Sequence, residues 1–340
     1  MSSPNLQSGI CDLESRLGRR ALLKAGLAAG AGLLLRGAEA AEGEAKVRVV
    51  AATNSKVFGE GNALKPAAVQ ELVDAAVARL MDEKEPSAAW KRLVKPSDVV
   101  GIKVNCLAGA KLSTRIEVVQ AIAKSLQAAG VEADRIYVWD RKRDDLVRAG
   151  YPVDDVSSVR YVGNDHRNLG FAPPIVSLGE IGGFFSRLVT DVCSVIINVP
   201  VFKDHDLAGV SVALKSAFGA IHNPNKYHFG NLHQAIADIN RVEALRRKTA
   251  VHLCDATFGC YEGGPTPAPK WVERMGTVYA SRDPVALDHV VWQKIEELRK
   301  ANGRPTLVGS AREPKHIALA AQHRIGTNDP GRIDVVKFEV

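Results

Sequence analysis

Apolar positions along this chain fall into two rhythms that alternate from Val47 toward the C-terminus. Short runs of β-branched and aliphatic residues predict strands over Val47–Ala51, Val99–Val104, Arg135–Trp139, Val159–Val162, Val195–Val199, Ala250–Cys254, Thr277–Ala280 and Ile333–Phe338. Between them, helical spacing of apolar residues predicts amphipathic helices over Pro66–Met81, Thr114–Ala129, Leu207–Phe218, Leu232–Arg246, Pro284–Arg299 and Glu313–His323. The second of these carries Ile116, Val119, Ile122, Ala123 and Leu126 on one stripe and stops at Gly130, while Asp283 and Pro284 form a cap and first turn for the fifth. Strands alternating with helices imply an α/β fold, a mostly parallel sheet with helices on both faces. The Pro-, Gly- and charge-rich stretch from Arg141 to Ser186 marks an excursion from that sheet or a smaller inserted subdomain.

Composition narrows the class. The chain has 340 residues, 46% hydrophobic and 24% charged, with 45 Lys and Arg against 38 Asp and Glu, a net charge of +7. That modest excess suits an anionic ligand. The charge forms no stripe of the kind a nucleic-acid binder concentrates, so nucleic acid is not an expected partner.

The first forty residues read as an address. In "GRRALLKAGLAAGAGLLL" the pair Arg19-Arg20 precedes an Ala/Gly/Leu-rich segment, and Ala38-Glu39-Ala40 has the spacing of a signal-peptidase site. A twin-arginine signal peptide is therefore expected over residues 1–40 and a mature domain over 41–340, exported to the periplasm or its equivalent by the twin-arginine machinery after folding in the cytoplasm. The apolar run Ala25–Leu35 is too short for a permanent membrane span. Of the five cysteines, Cys11 lies in this leader, and Cys106, Cys193, Cys254 and Cys260 contain no Cys-x-x-Cys, so no intrinsic iron–sulfur cluster is expected. A Cys254–Cys260 disulfide competes with the simpler reading of buried thiols.

Ligands of open parallel sheets bind beyond the carboxyl ends of the strands. The residues there form a short list of lysines, a histidine and aspartates: Lys103 and Asn105, Asp140, Lys203 and His205, Asp255, and Asp283. The strongest local signal is "NVPVFKDHDLAGVSVALKSAFGAI" (residues 198–221). Lys203 and His205, two apart in an extended segment, point to one side, and the helix expected from Leu207 offers its amides to an anion and carries Lys215. Lys203, His205 and Asp255 are the expected catalytic groups, with the imidazole as acid or base. Lys103, Asn105, Lys215, Glu262, Gly263 and Gly264 are the expected ligand-binding groups. Exposed at a strand end, Lys203 and His205 are expected to contribute little to stability. His222, His228 and His233 are candidate ligands for a divalent metal, with Asp238 or Asp255.

Together "VGIKVN", Ser113-Thr114-Arg115 at a helix start, "IINVPVFKDHDLAGVSVALKSAFGAI", "CDATFGCYEGGP" and "ASRDPVALD" resemble the domain-of-unknown-function 362 family, in the same order and over nearly the whole mature chain. The resemblance implies that Lys203 and His205 are its Lys-x-His element, Lys215 the lysine of its Leu-Lys-Asn-like helix, and Asp283 and Asp288 its Asp-Pro-x-x-x-Asp element; Ser216 stands where Asn is common. Many relatives carry ferredoxin-like modules, which this chain lacks. Three functions follow as expectations: a protein binding or converting a small anionic ligand at the sheet edge, a redox-associated accessory protein working with an iron–sulfur partner, or a non-catalytic binding module.

Overall fold

The computed structural model of the protein describes residues 46–153, 158–265 and 269–340, so the leader expected over residues 1–40 lies outside the described residues. Twelve strands are described: β1 (Val47–Thr53), β2 (Val100–Val104), β3 (Ile136–Asp140), β4 (Arg160–Gly163), β5 (Phe171–Leu178), β6 (Ile181–Ser186), β7 (Val195–Val199), β8 (Val201–His205), β9 (Gly209–Val210), β10 (Thr249–Cys260), β11 (Val272–Ser281) and β12 (Ile333–Glu339). The described α-helices are α1 (Pro66–Met81), α2 (Pro86–Leu93), α3 (Ile116–Ala128), α4 (Arg143–Arg148), α5 (Ala213–Ser216), α6 (Leu232–Ile239), α7 (Glu243–Lys248), α8 (Pro284–Ala301) and α9 (His316–Gln322).

All eight strands expected from the sequence are present, and they form the main sheet in the order β12-β1-β11-β10-β7-β2-β3-β4. Every neighbouring pair is parallel except those made by β11, which runs against both β1 and β10. The fold is therefore α/β on a mostly parallel, mixed sheet. Because side chains alternate across a strand, the sheet feeds two cores. Val50, Ala52, Val100, Ile102, Val104, Ile197 and Leu253 face α1, α2 and α3 through Leu72, Trp90, Val118 and Ile122. Val49, Ala51, Trp139, Ile196, Cys254 and Tyr279 face the other side, covered by Leu214, Ile236, Val285 and Ile317 from α5, α6, α8 and α9. The expected excursion resolves into the separate antiparallel hairpin β5-β6, tied back by the bridge between Phe185 and Ile221.

Three expectations need correction. No helix begins at Leu207: the chain makes a tight turn, pairs Asp204 with Val210 and His205 with Gly209, and becomes helical only over Ala213–Ser216. The turn needs Gly209 at φ +76°, a left-handed conformation, and a Cβ there would meet the Arg312 carbonyl oxygen at 2.0 Å. The helix expected over Leu232–Arg246 is broken after Ile239, where Asn240 Nδ2 donates to the Ile236 and Leu214 carbonyls. Strands β10 and β11 run well beyond Ala250–Cys254 and Thr277–Ala280, and β10 extends past the sheet edge. The described cysteines Cys106, Cys193, Cys254 and Cys260 are all buried and form no disulfide.

Two aspartates set where helices begin. Asp283 caps α8, accepting from the amides of Val285 and Ala286, and also accepts from Thr327. Asp288, fully buried on α8, accepts from the amides of Ala213 at 2.7 Å and Leu214 at 3.1 Å, fixing the start of the four-residue helix that carries Lys215. Replacing Asp288 by Ala leaves two buried N–H groups without acceptors, so we expect a loss of about 2–4 kcal/mol in urea unfolding. A loss below about 1 kcal/mol, the size of an ordinary exposed hydrogen bond, contradicts this role.

Candidate functional site

Strand β10 is twelve residues long, and its two halves hold two different neighbours. Its first half pairs with β7 and its second with β8, on either side of Pro200. Proline has no N–H to give a ladder, so the pairing of β2 with β7 ends at Val104 and Val199, but the Pro200 carbonyl still accepts from the Asp255 amide at 2.8 Å. The chain thereby continues beyond the carboxyl edge as β8 and carries Lys203 and His205 above the ends of β2 and β3.

There a cavity of about 420 Å³ opens, lined among others by Lys103, Asn105, Lys203, His205, Lys215 and His228. Of the four residues expected around one cavity, Lys103, Lys203 and His205 line it and Asp255 does not; Asn105 and Lys215, expected as ligand-binding groups, line it as well. The expected exposure is not seen: Lys203 is 1% and His205 4% exposed, because β8 is sandwiched between β10 and β9 and the strap formed by residues 262–265 is tied to it where the Gly264 amide donates to Asp204.

The three lysines differ in their partners. Lys103 Nζ donates to Asp140 Oδ1 at 2.8 Å and to the Val104 carbonyl, and Asp140 also accepts from the amides of Cys106 and Arg141. Lys103 lies against Gly219, where a Cβ would sit 2.3 Å from Lys103 Cε. Lys203 Nζ donates to Asn105 Oδ1 at 2.8 Å. Lys215, partly buried, meets His228 Nε2 at 3.2 Å and the Phe218 ring at 5.1 Å. Among the described residues, neither Lys203 nor Lys215 has a carboxylate within hydrogen-bond distance. Burial holds both ammonium groups below their ordinary value, Lys203 at about 8 and Lys215 at about 7, the latter helped by Lys203 itself.

Burial first of all, and then the neighbouring Lys215, hold both histidines of the cavity below their ordinary value. His228 Nδ1 lies 3.1 Å from the Pro224 carbonyl, which can only accept, so the proton is on Nδ1 and Nε2 accepts from Lys215. His205 Nδ1 accepts from the amides of Leu207 and Ala208 at 3.1 and 3.2 Å. Asp206 Oδ1 also lies 2.9 Å from that nitrogen. Burial, then Lys215, His228 and Lys203, push the ring down to about 2, so we assign the proton to Nε2. In this arrangement Nδ1 of His205, expected to act as acid or base, is occupied by two amides, and Nε2–H is left as a donor.

Asp255, expected to be catalytic, does not line the cavity. It is buried within β10, accepting from the Arg115 amide at 2.7 Å and from the amide and hydroxyl of Thr257. The neighbouring Thr114 hydroxyl donates to the Val199 carbonyl and accepts from the Asn105 amide, so Thr114, Arg115 and Asp255 clamp the ends of three strands and orient Asn105. Glu262 is likewise structural, joined to Arg299, Arg304 and Arg312. Asp204 completes that network by pairing with Arg312 and accepting from the Gly264 amide at 2.6 Å. Gly264 thus ties the strap to Asp204, and Pro265 rather than Gly263 or Gly264 lines the cavity.

The three histidines expected around a metal are dispersed. His222 accepts from the Phe184 amide and sets its ring at a tilt against Phe184 of the β5-β6 hairpin, His228 lines the cavity, and His233 stacks on His316 with centroids 5.6 Å apart. Asp238 is committed to the Glu180 amide and Arg241. No cluster of three or more metal-ligating side chains occurs among the described residues. Sequence reasoning placed Asp140 at this edge without giving it a site role, gave Ser211 none, and read His228 only as a metal candidate; His228 is brought into the wall by the 3₁₀ turn Pro224–Tyr227.

The model of the family described as Domain of unknown function (DUF362) matches residues 100–293. A crystal structure of a protein from Thermotoga maritima is similar with a TM-score of 0.39 and 13% identity over 72% of this chain and 60% of that one. The chain therefore spans less than two thirds of that protein's length. No curated protein matches.

Two outcomes are expected. Gly219→Ala must displace the buried Lys103 and should cost about 1–3 kcal/mol in chemical unfolding; an unchanged midpoint rules out the close approach. Lys203 titrates at about 8 when folded against an ordinary 10.5, so between those values the unfolded state binds more protons and stability rises with pH. Lys203→Met removes a penalty of about 3 kcal/mol that is fully present below pH 8 and gone near pH 10.5. The variant should melt above the parent at pH 7, with the difference shrinking toward pH 10; a constant difference contradicts the assignment.

Proposed function

The chain belongs to the domain-of-unknown-function 362 family, and from the site it carries we propose that it binds a small anionic molecule at the carboxyl edge of its sheet and positions it for conversion. One observation carries this reading: Lys203 and Lys215 share a cavity and, among the described residues, neither has a carboxylate within hydrogen-bond distance, Asp206 standing at the rim, while the buried acids of the wall are held elsewhere, Asp140 by Lys103 and Asp145 by Arg148. An unpaired buried ammonium costs several kcal/mol. An anion seated between the two lysines offsets that cost and meets the Nε2–H of His205 as a third donor. Asn105, fixed by Thr114, holds Lys203 in place for the same contact.

The proposal extends to cellular location. Arg19-Arg20 and the Ala38-Glu39-Ala40 spacing support export by the twin-arginine route, with the site formed before export. No described helix is long and apolar enough to cross a membrane.

Calorimetric titration with inorganic phosphate, acetate and short oxo acids tests the site. Loss of one charge-assisted hydrogen bond is worth about 1.5–3 kcal/mol, so Lys203→Met should weaken whichever of these binds by roughly ten- to a hundredfold. Binding that is indifferent to Lys203 refutes the reading. For export, changing Arg19 and Arg20 together to Lys should leave the precursor in the cytoplasm, and normal export of that variant excludes the twin-arginine route.

A further inference from the structure

We propose that Lys215 is a covalent nucleophile, forming an iminium with the carbonyl carbon of a small oxo acid whose carboxylate is held by Lys203. The inference rests on the anion-site reading above and deepens it by naming the substrate class. A lysine whose only task is to attract charge works best fully protonated and open to water, and usually has a carboxylate nearby. Lys215 is placed otherwise. Its backbone is pinned by Asp288 at the start of α5, and its amine is set between the Phe218 ring and the lone pair of His228 Nε2. That lone pair is turned toward the amine because the opposite nitrogen faces the Pro224 carbonyl. His228 is therefore an acceptor for a proton leaving Nζ, in the position a base must occupy to release the nitrogen lone pair. The groups facing the amine are His205, His228 and Lys203, with Asp206 at the rim, and burial beside Lys203 brings Lys215 down to about 7. A substantial fraction is then the neutral amine near neutral pH.

The chemistry balances without any further reagent. Lys215 gives one Nζ proton to His228 Nε2, and the freed lone pair forms the C–N bond as the carbonyl π pair moves to oxygen. That oxygen takes up a proton from Nζ and then the one held by His228, and leaves as water while the nitrogen lone pair closes the C=N bond. Counted from the ammonium form, one lysine and one ketone or aldehyde give one protonated iminium and one water. Nothing is oxidised or reduced. The carboxylate beside the carbonyl supplies the negative charge that Lys203 and the Nε2–H of His205 receive.

The test is reductive trapping on the full chain. The protein is incubated with glyoxylate, pyruvate or 2-oxoglutarate and cyanoborohydride, digested, and mapped by mass spectrometry. We expect at least one of these acids to leave a reduced adduct on Lys215 that exceeds the labelling of surface lysines by more than about tenfold, since an ordinary lysine is almost wholly protonated at neutral pH. Lys215→Arg keeps the charge and should abolish that adduct while the melting curve stays cooperative; if that variant does not fold, the mapped position in the native protein decides alone. Oxo acids that bind in a Lys203-dependent way yet label only surface lysines overturn the covalent role and leave the anion site standing. If neither phosphate nor any oxo acid binds in a Lys203-dependent way, both readings fall together.

Discussion

The site depends on a strand that outlasts its neighbour. A parallel sheet ends where its ladder of hydrogen bonds ends, and a central strand that meets proline cannot continue pairing on both sides. Here β7 stops at Val199, but β10 runs on to Cys260 and offers a free edge to the residues after Pro200. The Asp255 amide, bonded to the Pro200 carbonyl, is the join between the two halves. Without that extension Lys203 and His205 would fall in a loop at the edge. With it they are buried in a strand, above Lys103 and Asn105, and their direction is set by backbone pairing.

Burying lysines in this way requires acids to be kept away from them. The wall does so by giving each buried carboxylate a local task. Asp140 gathers Lys103 and two amides, Asp204 ties the strap to Arg312, Asp255 caps the Thr114–Arg115 turn, and Asp288 anchors α5. Each of these acids is saturated by hydrogen bonds or a cation that does not face the open cavity, apart from Asp140, whose charge Lys103 cancels. The buried carboxylates therefore build the frame, and among the described residues the amines of Lys203 and Lys215 are left without a carboxylate within hydrogen-bond distance, with Arg141 and Asp206 also on the cavity lining.

This division explains what could be read from the amino-acid sequence. Strand positions were legible because buried β-branched runs such as Val195–Val199 have few other uses, and strand ends pointed to Lys103, Lys203 and His205 because topology brings such ends together. The role of Asp255 was not legible, since an aspartate after an apolar run looks the same whether it faces a ligand or caps a turn; only the arrival of the Arg115 amide decides. Leu207–Phe218 has helical periodicity, but the His205 ring takes up the Leu207 and Ala208 amides and Gly209 reverses the chain, so the local turn wins over the propensity of the segment. Histidine spacing carried no information on whether His222, His228 and His233 would meet, because His222 lies in a bend, His228 in the turn after Pro224–Tyr227 and His233 on α6.

The choice of lysine over arginine at positions 203 and 215 is consistent with the rest of the wall. Arginine stays charged at any pH a protein meets and suits permanent ion pairs, and Arg299 and Arg312 serve that purpose in the network around Glu262. Lysine surrenders its proton when buried, and at about 8 and about 7 the two cavity amines stand close to neutrality, where an arriving anion can return the charge and a departing proton can free a lone pair. The same burial that disfavours the charged form of the two amines therefore makes them responsive to what enters. A frame of fixed ion pairs around two adjustable amines is what a site needs if it is to hold an anion and also act on it.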